Sequence, residues 1–333
     1  MKIAICVKQV PDSWAEKKMV NGVLDRENVD AVLNDLDEYA IEEALRIIEP
    51  LNEAGLNEGK ESPEHTITLI SMGPDRATEA IRKGLSMGAD SGVFISDTAL
   101  AASDAMSTSL VLAEAIKSGG FDLVFFGAES TDARMSVVPA MVAERLGWAQ
   151  LTFAGAVKVD LNGKSVEIAR MTENGVETMS ANFPCVVGVI EKINEPRYPS
   201  FKGIMAAKKK PIENKSLSDL GISASDVGGT GAWSAVDSAT PRPPREKGIK
   251  VDDGGDGGVN LLHAVRGRAG RGDDADPIAE HKIPVALLRQ RSHIRHLRVA
   301  LFRHGAHRAD AARLGRGRNV GDSVDHHLYL AGD

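Results

Sequence analysis

The chain has 333 residues, 42% of them hydrophobic and 26% charged, with a formal net charge of −7. That composition belongs to a globular protein of one large domain or two, long enough to bury a substantial core. It argues against a general nucleic-acid binder, and no run of roughly 18 or more apolar residues is present to embed the chain in a membrane.

The N-terminus, Met1 to Val10, turns polar too soon for a signal peptide and reads as a first strand. Cys6 and Cys185 each sit in an apolar strand-like run, so both read as buried reduced thiols rather than a disulfide or metal pair. A cytoplasmic location is the expectation.

In chain order, Lys2 to Lys8 is an apolar strand that ends in a polar loop at Gln9 to Asp12. Residues 37–48 place Ala40, Ile41, Ala44, Leu45 and Ile48 on one helical face. Asp37 and Glu38 suit its positive end, and Pro50 marks the expected exit. Thr66 to Met72 reads as a buried strand. A helix over 75–87 turns Ala77, Ala80, Ile81 and Leu85 inward, with Gly88 as its cap. A short strand at Val93 to Ile95, a helix from Asp104 to Lys117 and a strand from Asp122 to Phe126 follow. The loop after that strand leads into a helix from Val137 to Leu146. Such alternation predicts a doubly wound α/β fold, mostly parallel, covered on both faces.

From Leu151 the pattern changes. Two alternating runs, Val157 to Asp160 and Val166 to Ile168, flank Asn162-Gly163, which signals a hairpin added to the sheet. Cys185 to Ile190 is another buried strand. Residues 194–205 carry Pro196 and Pro199 and read as a loop. Their apolar side chains, Tyr198, Phe201, Ile204 and Met205, are either folded inward or offered to a partner. The segment 206–250 reads as an extended arm, expected to pack on a partner subunit.

Near residue 250 the composition breaks. Before it stand 17 Lys, 10 Arg and one His; after it stand one Lys, 12 Arg and 8 His. The pairs His293/His296 and His326/His327 lack the Cys or carboxylate company of a defined metal site, and no aromatic platform accompanies the arginines for RNA. Residues 251–333 read as an extension without a designed core, consistent with a coding sequence read out of frame. The expected division is therefore 1–205, 206–250 and 251–333.

In doubly wound sheets, ligands bind beyond the carboxyl ends of the strands. That rule singles out Cys6 to Val10, Met72 to Pro74 and Gly127 to Ser136. No GxGxxG follows the first strand and no Walker A loop is present. His65 is the one histidine of the first 250 residues, which disfavours histidine-based catalysis.

Several stretches together resemble the beta subunit of electron-transfer flavoproteins. They are Val7-Lys8-Gln9-Val10-Pro11-Asp12, Asp37-Glu38-Tyr39-Ala40 with Glu42-Glu43-Ala44-Leu45, Leu85 to Asp90, Gly127-Ala128-Glu129-Ser130-Thr131-Asp132, Gly147-Trp148 with Gln150, and above all Asn194 to Lys210. The resemblance implies an α/β fold like that of the adenine nucleotide alpha-hydrolases, in an αβ heterodimer. The alpha subunit would hold most of an FAD and this subunit a structural AMP. Electrons would arrive from acyl-CoA dehydrogenases of fatty acid oxidation or from other dehydrogenases. They would leave to a quinone-linked oxidoreductase, with no bond-making site on this chain.

The resemblance places the AMP site at Cys6, at Asn34, Asp35, Leu36 and Asp37, at Met72, and along Gly127, Ala128, Glu129, Ser130, Thr131, Asp132, Ala133, Arg134, Met135, Ser136, Val137 and Val138. Ser130, Thr131 and Ser136 add candidate hydroxyl donors, and a loop entering a helix offers backbone N–H groups to a phosphate. Two positions depart from the family: Ala133 to Ser136 lacks the usual glycine, and Met171 replaces a glutamate thought to meet the alpha subunit. By the same resemblance, Glu195 to Met205 is a loop that docks on a dehydrogenase, with Phe201 as anchor and Lys202 and Lys208 to Lys210 as steering charges. Two other readings compete: a stand-alone adenine-nucleotide-binding regulatory domain, and a catalytic enzyme such as a PP-loop type ligase.

Overall fold

The structure is a computed structural model that describes residues 1–20, 23–59, 63–236 and 238. Expectations for the tail 251–333, and for the last part of the arm, lie outside the described residues.

The strands are β1 (Lys2–Cys6), β2 (Gln9–Pro11), β3 (Met19–Val20), β4 (Val23–Leu24), β5 (Ala31–Leu33), β6 (Thr66–Met72), β7 (Ser91–Ile95), β8 (Leu123–Gly127), β9 (Ala149–Asp160), β10 (Ser165–Thr172), β11 (Gly175–Asn182), β12 (Cys185–Val189) and β13 (Ile212–Lys215). The main helices are α1 (Asp35–Asn57), α2 (Thr78–Met87), α3 (Ala105–Gly119), α4 (Val138–Leu146) and α5 (Phe201–Ala207). A nine-stranded sheet runs β11-β10-β9-β12-β8-β1-β6-β7-β13. From β9 across to β13 all neighbours are parallel. Only β10 and β11 run antiparallel to their neighbours. The α/β, mostly parallel fold is the one expected.

Strand alternation splits the core between the two faces. Ile3, Ile5, Leu69, Phe125 and Val187 face α1 and α2, meeting Ile41, Leu45, Ile81 and Leu85. Ala4, Cys6, Ile70, Val124 and Val186 face α3 and α4, meeting Val111, Ile116, Val142 and Ala143. A strand buried on both sides must be apolar throughout, which is why β8 and β12 carry unbroken hydrophobic runs.

The structure differs from the sequence expectation in four places. Helix α1 does not exit at Pro50 but encloses it and continues to Asn57. Pro50 lies on the exposed side. The turn beyond it is held because the Asn52 amide donates to His65 O at 2.9 Å and accepts His65 N at 2.9 Å. The hairpin is longer than its Asn-Gly turn suggested and gains a third strand, β11, whose side chains are mostly exposed and give no apolar signal. Part of the proline-rich loop is helical: Ser200 caps α5, its Oγ accepting from Gly203 N at 3.1 Å. Finally, the described part of the arm runs along this chain's own sheet. There β13 pairs with β7, and Leu217, Ile222 and Val227 are buried in the core.

Candidate functional site

The sheet order places the topological switch between β1 and β8. The chain leaves β1 toward β6 and β7 on one side and later returns to β8 on the other. Cys6 stands between Ile70 and Phe126 at the carboxyl ends of three parallel strands. A crevice at such a point is the expected ligand position in this architecture.

A short ribbon stands beside this point. β2 pairs antiparallel with β5, and Asn34 N donates to Lys8 O at 2.9 Å. Asn34 is thereby held at the start of α1, almost fully buried. Its Nδ2 donates to Asp37 Oδ1 and to Glu129 O, both at 2.9 Å, while its Oδ1 accepts Thr131 N at 3.0 Å. One amide thus ties the loop after β8 to the first turn of α1.

Asp37 is buried behind it, and Lys8 N donates to its Oδ2 at 2.8 Å. Burial pushes the Asp37 carboxyl up to about 7, against the pull of the Asn34 amide and of the Lys8 and Gly127 N–H groups. Burial first, and then the Asp37 charge, also raise the Cys6 thiol. That thiol stays protonated and unreactive, as expected for a structural cysteine.

On the rim, Lys8 Nζ contacts Ser130 Oγ at 3.2 Å and Asp132 Oδ1 at 2.7 Å. Arg26 Nε and Nη2 grip Asp132 Oδ2 at 2.9 and 2.8 Å. Burial alone would raise the Asp132 carboxyl. The charge and hydrogen bond of Lys8, with Ser130 and Arg26, outweigh it and hold the group at about 2. Arg134 and Ser136 adopt φ values of 48° and 54°, the left-handed region that favours glycine. The glycine missing from this loop is therefore missing where the backbone asks for it. Strained backbone of this kind persists where surrounding structure enforces it, often at binding sites.

The structure brings Cys6, Asn34, Asp37 and the loop from Gly127 to Thr131 together at the switch point. Met72 lies at the neighbouring strand end, paired with Ile95. Asp35 points to the surface beside Asp12. Ala133, Arg134 and Met135 are exposed on the loop, and Val137 and Val138 lead into α4. Two of the expected hydroxyl donors already have carboxylate partners. Ser136 Oγ donates to Glu129 Oε2 at 2.7 Å, and Ser130 serves Asp132 and Lys8. Lys8 lies within the strand-end stretch Cys6 to Val10 that the sequence singles out, whereas the second cation, Arg26, comes from a loop with no local signal and was missed. The described residues include no group of three His, Cys, Asp or Glu able to hold a metal, and none of their helices is long and apolar enough to cross a membrane.

A second feature lies on α1 and α2. Tyr198 is 95% and Phe201 80% exposed, with Ile204 and Met205 about half exposed. These side chains are not folded inward. The segment is nonetheless fixed. Arg197 Nε donates to Glu42 Oε2 at 2.7 Å and its Nη1 to Glu49 Oε1 at 2.6 Å. At the other end, Arg82 Nη1 donates to Ala207 O and Lys210 O at 2.6 and 2.8 Å. Lys202, Lys208 and Lys209 are exposed, but Lys210 is not a free steering charge. Its Nζ donates to the carbonyls of Leu85 and Gly88 at 3.2 and 3.1 Å. Met171 lies partly exposed on β10, opposite Val176.

A family model for the electron transfer flavoprotein domain matches residues 21–220. An electron transfer flavoprotein subunit beta of Mycobacterium tuberculosis (strain ATCC 25618 / H37Rv) is 46% identical over 263 residues, covering 78% of this chain and 96% of that protein. This chain belongs to the electron transfer flavoprotein beta-subunit family. More distant relatives carry the same name. The protein of Megasphaera elsdenii is 33% identical over 264 residues, covering 76% of this chain and 93% of its own length. That of Bradyrhizobium diazoefficiens is 33% identical over 256 residues, covering 76% and 94%. At the switch point, a buried amide and carboxyl join α1 to the loop after β8, and Gly127, whose missing Cβ lets α1 approach, ends that strand.

Proposed function

We propose that this chain is the beta subunit of a heterodimeric electron-transfer flavoprotein in the cytoplasm, an electron carrier without its own bond-making site. It binds AMP structurally at the β1/β8 crevice. With an alpha subunit it completes the surroundings of an FAD that the alpha subunit mainly holds. FAD in the complex carries the electrons from acyl-CoA or other dehydrogenases to a quinone-linked acceptor. The observation that carries this reading is the segment 194–207. It keeps Tyr198 and Phe201 in solvent on a footing built from α1 and α2. A stand-alone nucleotide sensor has no use for an apolar projection so deliberately fixed.

Asn34 and Asp37 hold α1 and the β8 loop at the distance the nucleotide needs, and Lys8 and Arg26 supply positive charge at the rim. Arg134 is the exposed cation of the loop and the best placed to follow a phosphate. Phe201 enters an apolar pocket on the dehydrogenase, while Lys202, Lys208 and Lys209 steer approach to an acidic surface.

Co-expression with the cognate alpha subunit tests this reading. The expected product is a yellow 1:1 complex that releases AMP on denaturation, and the chain alone carries little or no flavin. A stoichiometrically yellow single chain, or a complex free of adenine nucleotide, would contradict it.

A further inference from the structure

Helix α1 does two jobs along its 23 residues. Its start binds the loop after β8 through Asn34 and Asp37, and its middle turns carry the root of the exposed segment. The root is a four-charge network. Arg197 makes a fork with Glu49, Nη1 to Oε1 at 2.6 Å and Nη2 to Oε2 at 2.9 Å. It also binds Glu42 Oε2 through Nε at 2.7 Å and through its backbone N–H at 3.2 Å. Arg46 Nε donates to the other Glu42 oxygen at 2.9 Å, and its Nη2 reaches Glu195 O at 3.3 Å. Asn194 Nδ2 adds bonds to Tyr39 O and Glu43 Oε2, both at 3.0 Å. The Glu42 side chain is 5% exposed, so this is not a loose surface pair.

Such a network is out of proportion to what it stabilises in this chain. The residues it immobilises, Tyr198 and Phe201, add almost nothing to the core. Pro196 and Pro199 stiffen the chain between root and tip. Gly203 lies against α2 so closely that an added Cβ would stand 2.5 Å from Ser86 O. Root and far end are therefore both fixed, and the rotation of the segment is set by Arg197. A surface held in its bound conformation loses less freedom on association. A planar guanidinium that bonds two carboxylates at once sets direction as well as distance, and lysine cannot copy it.

We propose that Arg197 is a positioning residue for electron delivery: clamped between Glu42 and Glu49 of α1, it sets the pose in which Phe201 meets the dehydrogenase. The proposal rests on the docking reading above. It adds that affinity depends on the pose as well as on the anchor, and that the charge of Arg197 alone is insufficient.

The test uses the assembled heterodimer with its dehydrogenase. Arg197→Gln, Arg197→Lys, Glu49→Gln and Phe201→Ala are compared, together with the double variant Arg197→Gln/Phe201→Ala. Arg197→Gln is expected to raise the half-saturating dehydrogenase concentration by about tenfold, on the scale of interface positions that matter. The maximal rate and reduction by dithionite should be unchanged. Arg197→Lys should behave like Arg197→Gln, and Glu49→Gln, which leaves the Glu42 bonds intact, should give a smaller rise. Because the clamp acts through Phe201, adding Arg197→Gln to Phe201→Ala should cost little more. Full rescue by lysine, or fully additive effects, would overturn the positioning role. So would an unchanged half-saturating concentration in Arg197→Gln and Glu49→Gln when Phe201→Ala raises it. If Phe201→Ala itself has no effect, the docking reading falls and the proposal with it.

Discussion

Gly127, the last residue of its strand, lies so close to Asp37 that a Cβ there would stand 2.7 Å from Asp37 Oδ1, and equally close to the Leu36 carbonyl. The glycine is required by space rather than by backbone angle. It lets the first turn of α1 close over the end of β8, and it lets the buried amide of Asn34 bridge the two. Gly127→Ala must push α1 away or distort β8. Overpacking of this kind costs about 1–3 kcal/mol, so a lower melting temperature is expected. The released-nucleotide assay should show AMP occupancy falling with it. Unchanged stability and occupancy would mean that the close approach has no role.

The strain in the next loop predicts an opposite sign. Arg134 holds φ at 48°, a region that glycine enters freely and other residues enter at a cost of roughly 1–2 kcal/mol. Arg134→Gly should therefore be more stable than Arg134→Ala, which loses the same side chain but keeps the Cβ, by up to about 1 kcal/mol after the greater freedom of glycine in the unfolded chain is offset. Differential scanning calorimetry separates the two. If Arg134 also follows the phosphate, both variants lose AMP, so stability and occupancy move independently in the glycine variant.

Two carboxyls give the unit an acid–base signature. Asp37 is raised from an ordinary value of 3.8 to about 7. Its folded form thus holds a proton that the unfolded chain has released, and its contribution to stability falls as pH rises from about 4 through 7. Asp132 is lowered from 3.8 to about 2. Its contribution is complete above about 4 and is lost as pH falls toward 2. Urea titrations between pH 4 and 8 should show a downward slope that Asp37→Asn flattens. A slope unchanged in that variant would assign the titration to another group.

Most of the fold was legible because it is written in burial. The runs in β8 and β12 are apolar throughout, those in β1 and β6 mostly so, and the buried stripes of α1 and α2 are the residues that helical periodicity selects. What was not legible was set by contacts between distant segments. Pro50 signals an exit, but Asn52 meeting His65 carries the helix past it. Strand β11 has no apolar alternation, because its side chains mostly face solvent. Arg26 joins the site across more than 100 residues of chain, and no local pattern announces that. The hydroxyls of Ser130 and Ser136 looked like donors to an anion, yet their partners are carboxylates that only the folded loop brings near.

The most direct test of the account is a titration with the dehydrogenase. Phe201, 80% exposed at the start of α5, is the proposed anchor. Truncating a buried aromatic anchor costs roughly 2–4 kcal/mol of binding, about 30-fold or more in affinity. In the assembled heterodimer, Phe201→Ala should raise the half-saturating dehydrogenase concentration by that factor, with the melting temperature, FAD content and AMP content unchanged. A reduction rate that matches the unaltered protein at every dehydrogenase concentration would contradict the docking role of this chain.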